Sequence, residues 1–108
     1  MEYVGIGVLA LVAGLFIRRK MMFSAVRKNL PNYLKEGAVI VDVRSPDEFR
    51  NGHIQGSINI PLQEIHAHTH RLDRRKPILV CCVSGNRSGM AAGILRSKGF
   101  DNVVNAGP

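Results

Sequence analysis

The chain has 108 residues, enough for one folded domain and too few for two. Charged residues make up 21% and hydrophobic residues 45%, proportions that argue against a disordered chain. The net charge of +7 favours anionic partners, but two Tyr, four Phe and no Trp, with no basic stripe among them, argue against nucleic acid.

The first predicted element is an apolar helix at the N-terminus. No charged residue occurs from Tyr3 to Ile17, and three basic residues follow at 18–20. A helix over this run is about 22 Å long, and flanking bases that reach the headgroups make up the difference from the ~30 Å hydrocarbon core. A cleaved signal peptide carries its charge before the apolar run, and a buried core helix has a polar face. We therefore expect residues 3–17 to contact a lipid bilayer.

The position of the basic residues predicts the topology of this membrane anchor, which we assign to residues 1–21. Basic residues are retained on the cytoplasmic side of a single-pass helix. The N-terminus is then outside, and residues 22–108 form a domain on the cytoplasmic side.

The next segments predict a helix, a strand and a second helix. Residues 24–35 have an amphipathic pattern, interrupted at Pro31 and ended by Gly37. The β-branched run over residues 38–43 suits a strand that is covered on both faces. Ser45 then begins a short helix as its cap, followed by Pro46 and, three residues after the cap, by Glu48.

The second half of the chain continues the alternation of strands and helices. Strands are predicted over residues 58–60, 78–81 and 102–104, and helices over residues 62–72 and 88–98. This order predicts an α/β domain with a central parallel sheet flanked by helices.

The most informative stretch is CVSGNRS, from Cys82 to Ser88, between a buried strand and a helix. Open α/β sheets bind ligands at this edge, where loop amides and the helix dipole attract an anion. A cysteine held there is stabilised as its thiolate. A cysteine at the end of a strand is by itself more often an inert core residue, but Gly85 and Arg87 at these offsets favour covalent group transfer.

The two cysteines, Cys81 and Cys82, are neighbours in sequence. Adjacent cysteines rarely meet disulfide geometry, and two thiols alone do not form a zinc site. We therefore expect free thiols, with Cys81 in the core, and neither a metal nor a cofactor. The three histidines at residues 66, 68 and 70 are expected on a solvated helix.

Residues 39–61, VIVDVRSPDEFRNGHIQGSINIP, together with CVSGNRS at 82–88, resemble the two signature regions of the rhodanese family. The similarity runs from about Ser24 to Pro108. It implies a rhodanese-like fold, a persulfide on Cys82, a small anionic sulfur donor such as thiosulfate, and a thiol or protein as sulfur acceptor. The family usually continues into a closing helix beyond Pro108, so we expect lower stability and a more open rim here.

The resemblance also implies roles for individual residues. Cys82 is the nucleophile, and the loop that contacts the transferred sulfur is completed by Val83, Ser84, Gly85, Asn86 and Arg87. Asp42 and Arg44 are implied to lie near that loop and to support it by charge pairing, Ser88 is a further supporting residue, and His53 is implied to be structural.

Two alternative functions stay open at this point. Counted from Cys81, the spacing to Arg87 is that of cysteine-dependent phosphatases, although Cys81 ends an apolar run and no His precedes it. The other alternative is a non-catalytic membrane-bound binding module. The retention of Cys82 and Arg87 disfavours it, because inactive relatives usually lose the nucleophile.

Overall fold

The computed structural model describes residues 25–107. A helical turn over residues 25–28 precedes the first helix. The elements that follow are α1 (Leu30–Lys35), β1 (Val39–Asp42), α2 (Pro46–Arg50), β2 (Ile58–Asn59), a 3₁₀ turn (Leu62–Glu64), α3 (Ile65–His68), a 3₁₀ turn (Thr69–Arg71), β3 (Ile78–Cys81), α4 (Asn86–Ser97) and β4 (Val103–Gly107).

The four strands form one parallel sheet in the order β2-β1-β3-β4. The two central strands, β1 and β3, are in register from Val39 opposite Ile78 to Asp42 opposite Cys81. Their carboxyl ends therefore lie side by side, with the loop after Cys81 next to the segment after Asp42. This arrangement confirms the predicted α/β domain with a parallel sheet flanked by helices.

The alternation of side chains along the strands divides the core into two layers. On one face, Val41 and Val80 pack with Leu95 of α4 and Ile65 of α3, and Cys82 belongs to this layer. On the other face, Ile40, Leu79 and Cys81 pack against Leu30 and Tyr33 of α1. The two adjacent cysteines consequently belong to opposite layers of the domain.

Several element boundaries differ from the sequence predictions, among them the end of β4, which lies at Gly107 rather than at residue 104. The predicted helix over residues 62–72 is two 3₁₀ turns around the four residues of α3. Helix α4 begins at Asn86, two residues before the predicted start, because Gly85 adopts φ 88° and already caps it. The first helix is interrupted at Asn29 rather than at Pro31, because a proline fits within the first turn of a helix.

The expected membrane anchor over residues 1–21 lies outside the described residues. Among residues 25–107, no helix has the length and apolar character that are needed to cross a bilayer.

Candidate functional site

The loop after β3 curls around the sulfur of Cys82. The backbone N–H of Gly85 donates to Cys82 Sγ at 2.9 Å, and the N–H of Ser88 approaches the same atom at 3.4 Å. The hydroxyl oxygen of Ser88 lies 3.3 Å from the sulfur. Gly85 permits this curl because its φ of 88° lies in the left-handed region. Donors from the loop and from the first turn of α4 therefore converge on one atom.

These donors change the acidity of the Cys82 thiol. Burial raises the pKa of Cys82, but hydrogen bonds from the Ser88 side chain and from the backbone N–H groups of Ser88, Gly85 and Ser84 outweigh burial, so the pKa lies below its ordinary value. A larger fraction of this thiol is therefore ionised near neutral pH than of an ordinary cysteine. The thiolate is the nucleophilic form.

Asn105 of β4 joins the loop to the edge of the sheet. Its Oδ1 accepts the hydroxyl of Ser88 at 2.6 Å and the N–H of Gly107 at 3.0 Å, and its Nδ2 donates to the carbonyl of Gly85 at 3.1 Å. The pairing of β3 with β4 is irregular here, since Val80 lies opposite Asn105 and Cys81 opposite Gly107. The irregularity lets Asn105 bond to the loop while Gly107 accepts the N–H of Cys82 at 3.0 Å.

Arg87, the last predicted loop residue, is held by Glu48 of α2. The guanidinium donates to both carboxylate oxygens of Glu48, at 2.7 and 3.0 Å. This contact, together with the N–H and hydroxyl of Ser45, lowers the pKa of Glu48 to about 2. Glu48 and Ser45 also complete the capping box of α2, as the sequence predicted. The same carboxylate thus caps a helix and fixes the arginine of the loop.

Asp42 and Arg44 pair with each other rather than with a loop side chain. Asp42 is only 2% exposed and accepts Arg44 Nε at 2.9 Å and Nη2 at 2.7 Å. Arg44 also donates to the carbonyl of Gly52 at 2.6 Å. The predicted charge pairing is thus a pair between Asp42 and Arg44 themselves, and their support of the loop stays a prediction. Asp42 and Arg44 lie two residues apart at the end of β1 and neutralise each other's charge. The side chain that forms an ion pair with the loop is that of Glu48.

A cavity of about 360 Å³ adjoins the loop at the carboxyl edge of the sheet. It is lined by Asp42, Arg44, His53, Ile54, Cys81, Cys82 and Val83. Asp42 and Arg44 do lie near the loop, since they share this cavity with Cys82. Cys82 itself is 4% exposed, so its reactive sulfur is well buried but adjoins a space that is large enough for a small ligand.

The remaining loop residues face outward or cap the turn. Val83 is 57% exposed at the rim of the cavity. The hydroxyl of Ser84 accepts the N–H of Asn86 at 3.4 Å, a local bond that supports the turn. His53 stacks on Phe49 with ring centroids 3.6 Å apart, which fits the structural role predicted for it, although it also lines the cavity.

Cys81 occupies a different environment from Cys82. It lies in the layer with Ile40 and Leu79, and burial, with a contribution from the Asp42 carboxylate, raises the pKa of its thiol to about 12. The structure agrees with the predicted core position. A phosphatase that used Cys81 would have a protonated, poorly nucleophilic thiol.

Two residues of this site, Glu48 and Asn105, were not among the residues predicted from the sequence. Glu48 was assigned only as a helix cap, and its bond to Arg87 joins residues 39 positions apart. Asn105 contacts Ser88 over 17 positions. Local patterns contain no signal for such contacts, although strand order would have placed the ends of β3 and β4 side by side.

Comparison with known proteins places these features in a family. The family model of the rhodanese-like domain matches residues 26–106. The chain is 41% identical over 69 residues to the thiosulfate sulfurtransferase PspE of Escherichia coli, covering 62% of this chain and 66% of that protein. It is 40% identical over 69 residues to the thiosulfate sulfurtransferase GlpE of Ectopseudomonas mendocina, covering 64% and 63%. The match spans 40% of the relative YrkF of Bacillus subtilis.

Solved structures give the same result for the fold. A rhodanese-related protein from Thermoplasma volcanium superposes with a TM-score of 0.63 at 38% identity, over 71% of this chain and 75% of that one. A rhodanese with anions from E. coli superposes with a TM-score of 0.61 at 37% identity, over 65% and 86%. The chain therefore belongs to the rhodanese-like domain family.

Proposed function

We propose that this chain is a sulfurtransferase in which Cys82 carries the transferred sulfur as a persulfide. The observation that carries the proposal is the convergence of the Gly85 and Ser88 N–H groups on Cys82 Sγ. Preorganised amides of this kind stabilise the negative charge of a thiolate and of the persulfide that replaces it. Relatives about 40% identical to this chain are thiosulfate sulfurtransferases, which supports the same chemistry here.

The proposed reaction has two half-reactions. In the first, the Cys82 thiolate attacks the outer sulfur of thiosulfate, the sulfur–sulfur bond of the donor breaks, and sulfite departs with the bonding electron pair. In the second, an acceptor thiolate attacks the outer sulfur of the persulfide, and the Cys82 thiolate is the leaving group. Each step exchanges one sulfur–sulfur bond for another, or for a bond to the acceptor, and needs no external oxidant.

The loop supplies the groups that this reaction needs. Gly85 and Ser88 hold the charge on sulfur, and the cavity beside Cys82 gives donor and acceptor a place to bind. The hydrogen bonds with Glu48 are the main cause of the raised pKa of the Arg87 guanidinium, and the Cys82 thiolate makes a smaller contribution. We assign Arg87 to the orientation of the loop, because its guanidinium donates to both carboxylate oxygens of Glu48 and so connects the loop to α2.

Intact-mass analysis after exposure to thiosulfate tests the proposal. The wild-type chain is expected to gain the mass of one sulfur atom, and a reductant should remove it. Cys82→Ser should gain none, while the matched control Cys81→Ser should load like the wild type, because Cys81 lies in the opposite layer of the core. Loading of Cys82→Ser, or hydrolysis of an aryl phosphate that depends on Cys81, would overturn the assignment.

We propose further that residues 3–17 attach the enzyme to a lipid bilayer, with the catalytic domain on the cytoplasmic side. The uncharged run from Tyr3 to Ile17 and the three basic residues after it support this localisation.

A further inference from the structure

The contacts of Asn105 determine which way its amide group points. Gly107 contributes a backbone N–H, which can only donate, so the side-chain atom that it meets must be the oxygen. Gly85 contributes a carbonyl, which can only accept, so the opposite atom must be the nitrogen. The orientation of the amide is thus fixed by two independent backbone groups.

This orientation decides where the hydroxyl proton of Ser88 lies. The Ser88 oxygen is 2.6 Å from Asn105 Oδ1, and because Oδ1 has no proton, the hydroxyl must donate to it. A hydroxyl has one proton, so Ser88 has none left for Cys82. The contact of 3.3 Å between Cys82 and Ser88 is then a thiol S–H that donates to the Ser88 oxygen. This placement of protons fits the protonated Cys82, and the hydrogen bond from the Ser88 side chain that lowers the pKa of Cys82 then forms only with the thiolate.

Ionisation of Cys82 removes the S–H and leaves a lone pair of Ser88 facing a negative sulfur. We propose that Asn105 is a positioning residue for Cys82. While Cys82 is a thiol, Asn105 Oδ1 accepts the hydroxyl proton of Ser88, and when Cys82 is a thiolate the hydroxyl turns and donates to the sulfur. Asn105 Oδ1 keeps the N–H of Gly107 when the hydroxyl turns, so it is not left without a donor. Asn105 and the sulfur therefore compete for one proton, and the competition sets how readily Cys82 ionises.

The charged and titratable groups around Cys82 are the same in the wild type and in the alanine variants at Ser88 and Asn105. Asp42 and Arg44, at the end of β1, neutralise each other, as do Glu48 of α2 and Arg87 of the loop. Cys81, from the other layer, and His53 line the neighbouring cavity. Because none of these groups is altered in the alanine variants, a change in the ionisation of Cys82 in them reports the Ser88 hydroxyl.

The pH dependence of alkylation of the full chain by iodoacetamide, followed at Cys82 by peptide mass mapping, tests the proposal. Asn105→Ala removes the competing acceptor, so the Ser88 hydroxyl turns to sulfur in both protonation states. We expect the apparent pKa of Cys82 to fall by about 0.5 to 1 unit, which speeds alkylation about 3- to 10-fold at pH values well below the pKa. Ser88→Ala removes the donor to the thiolate, so its pKa should rise.

The double variant separates this mechanism from a general loosening of the loop. If Asn105 acts through the hydroxyl, Asn105→Ala should leave the pKa unchanged in a Ser88→Ala background. Asn105→Asp keeps the shape and the acceptor for Ser88, loses the donor to the Gly85 carbonyl and adds a negative charge, and this charge should raise the pKa of Cys82. If circular dichroism shows that Asn105→Ala does not fold, Asn105→Asp keeps the proposal testable.

An equal shift from Asn105→Ala in the presence and absence of the Ser88 hydroxyl overturns the proposal, as does a lower pKa in Asn105→Asp. The inference rests on Cys82 as the nucleophile of the proposed function, but alkylation needs no sulfur donor. Failure of persulfide loading with the expected alkylation profile rejects sulfur transfer alone. Loading with an unaltered profile rejects only the role of Asn105.

Discussion

Asp42 is a buried carboxylate whose charge is balanced within the chain. It is 2% exposed and receives the backbone N–H of Arg44 at 3.0 Å as well as the guanidinium. Removing one member of a buried pair leaves its partner uncompensated. Asp42→Asn is therefore expected to lower the free energy of unfolding by about 2 kcal/mol, measured by urea denaturation.

Asp73→Asn is the matched control for this change. Asp73 also pairs with an arginine two residues later, Arg75, but the side chain of that arginine is 90% exposed. Exposed pairs contribute little because water screens them, so the denaturation midpoint should hardly move. Equal losses in the two variants would show that burial does not determine the contribution of Asp42.

At the scale of elements, α2 depends on Ser45, the residue that caps its N-terminus. The helix has only five residues, and Ser45 accepts the N–H of Glu48 at 3.2 Å while Glu48 accepts the N–H of Ser45 at 3.1 Å. A helix this short has little stability of its own. Ser45→Ala should destabilise the domain by about 1 kcal/mol in thermal or urea unfolding.

Ser45→Asp serves as the comparison, since aspartate also caps helices. It should restore most of the lost stability. Because α2 carries Glu48, Ser45→Ala should in addition weaken the hold on Arg87 and slow persulfide formation on Cys82. A stability loss in Ser45→Asp as large as in Ser45→Ala would mean that the cap is not the cause.

The sequence patterns predicted elements well where local chemistry defines them, and less well where tertiary contacts do. The capping box at Ser45 and the buried run at residues 78–81 appear in the structure with little change. The segment after β2 does not form one helix but two 3₁₀ turns around α3, and its first residue is bonded to the segment after β1. The N–H of Leu62 donates to the carbonyl of Val43 at 3.1 Å, a contact that apolar spacing does not reveal.

At the scale of the whole molecule, the site combines segments that are far apart in sequence. Cys82, the proposed nucleophile, and the amides that donate to its sulfur come from one continuous loop, so the seven residues from Cys82 to Ser88 were enough to predict that these groups lie together. Glu48 and Asn105 lie on either side of that loop in the chain and reach it only because parallel strands bring their carboxyl ends together. Their roles follow from topology, and residue patterns alone did not give the pairing.

The proposed membrane attachment is also a property of the whole chain. The full chain is expected in the membrane fraction and should resist extraction by alkaline carbonate. A variant that begins at residue 22 should be released into the supernatant, with the rhodanese-like domain intact by circular dichroism. Protease added outside sealed cells should leave the catalytic domain uncut if the basic residues fix the topology as expected. Recovery of the full chain in the soluble fraction would contradict the attachment.

Among residues 25–107, strand β4 pairs with β3 alone and forms one edge of the sheet. It nevertheless supplies Asn105 to the loop and the carbonyl of Gly107 to the backbone of Cys82. Edge strands open locally at a smaller free-energy cost than the central strands of a sheet. We therefore expect the hydrogen bonds that arrange the loop around Cys82 to be lost more readily than the fold itself. A brief opening of β4 removes the contacts of Asn105 and Gly107 while the central strands stay paired.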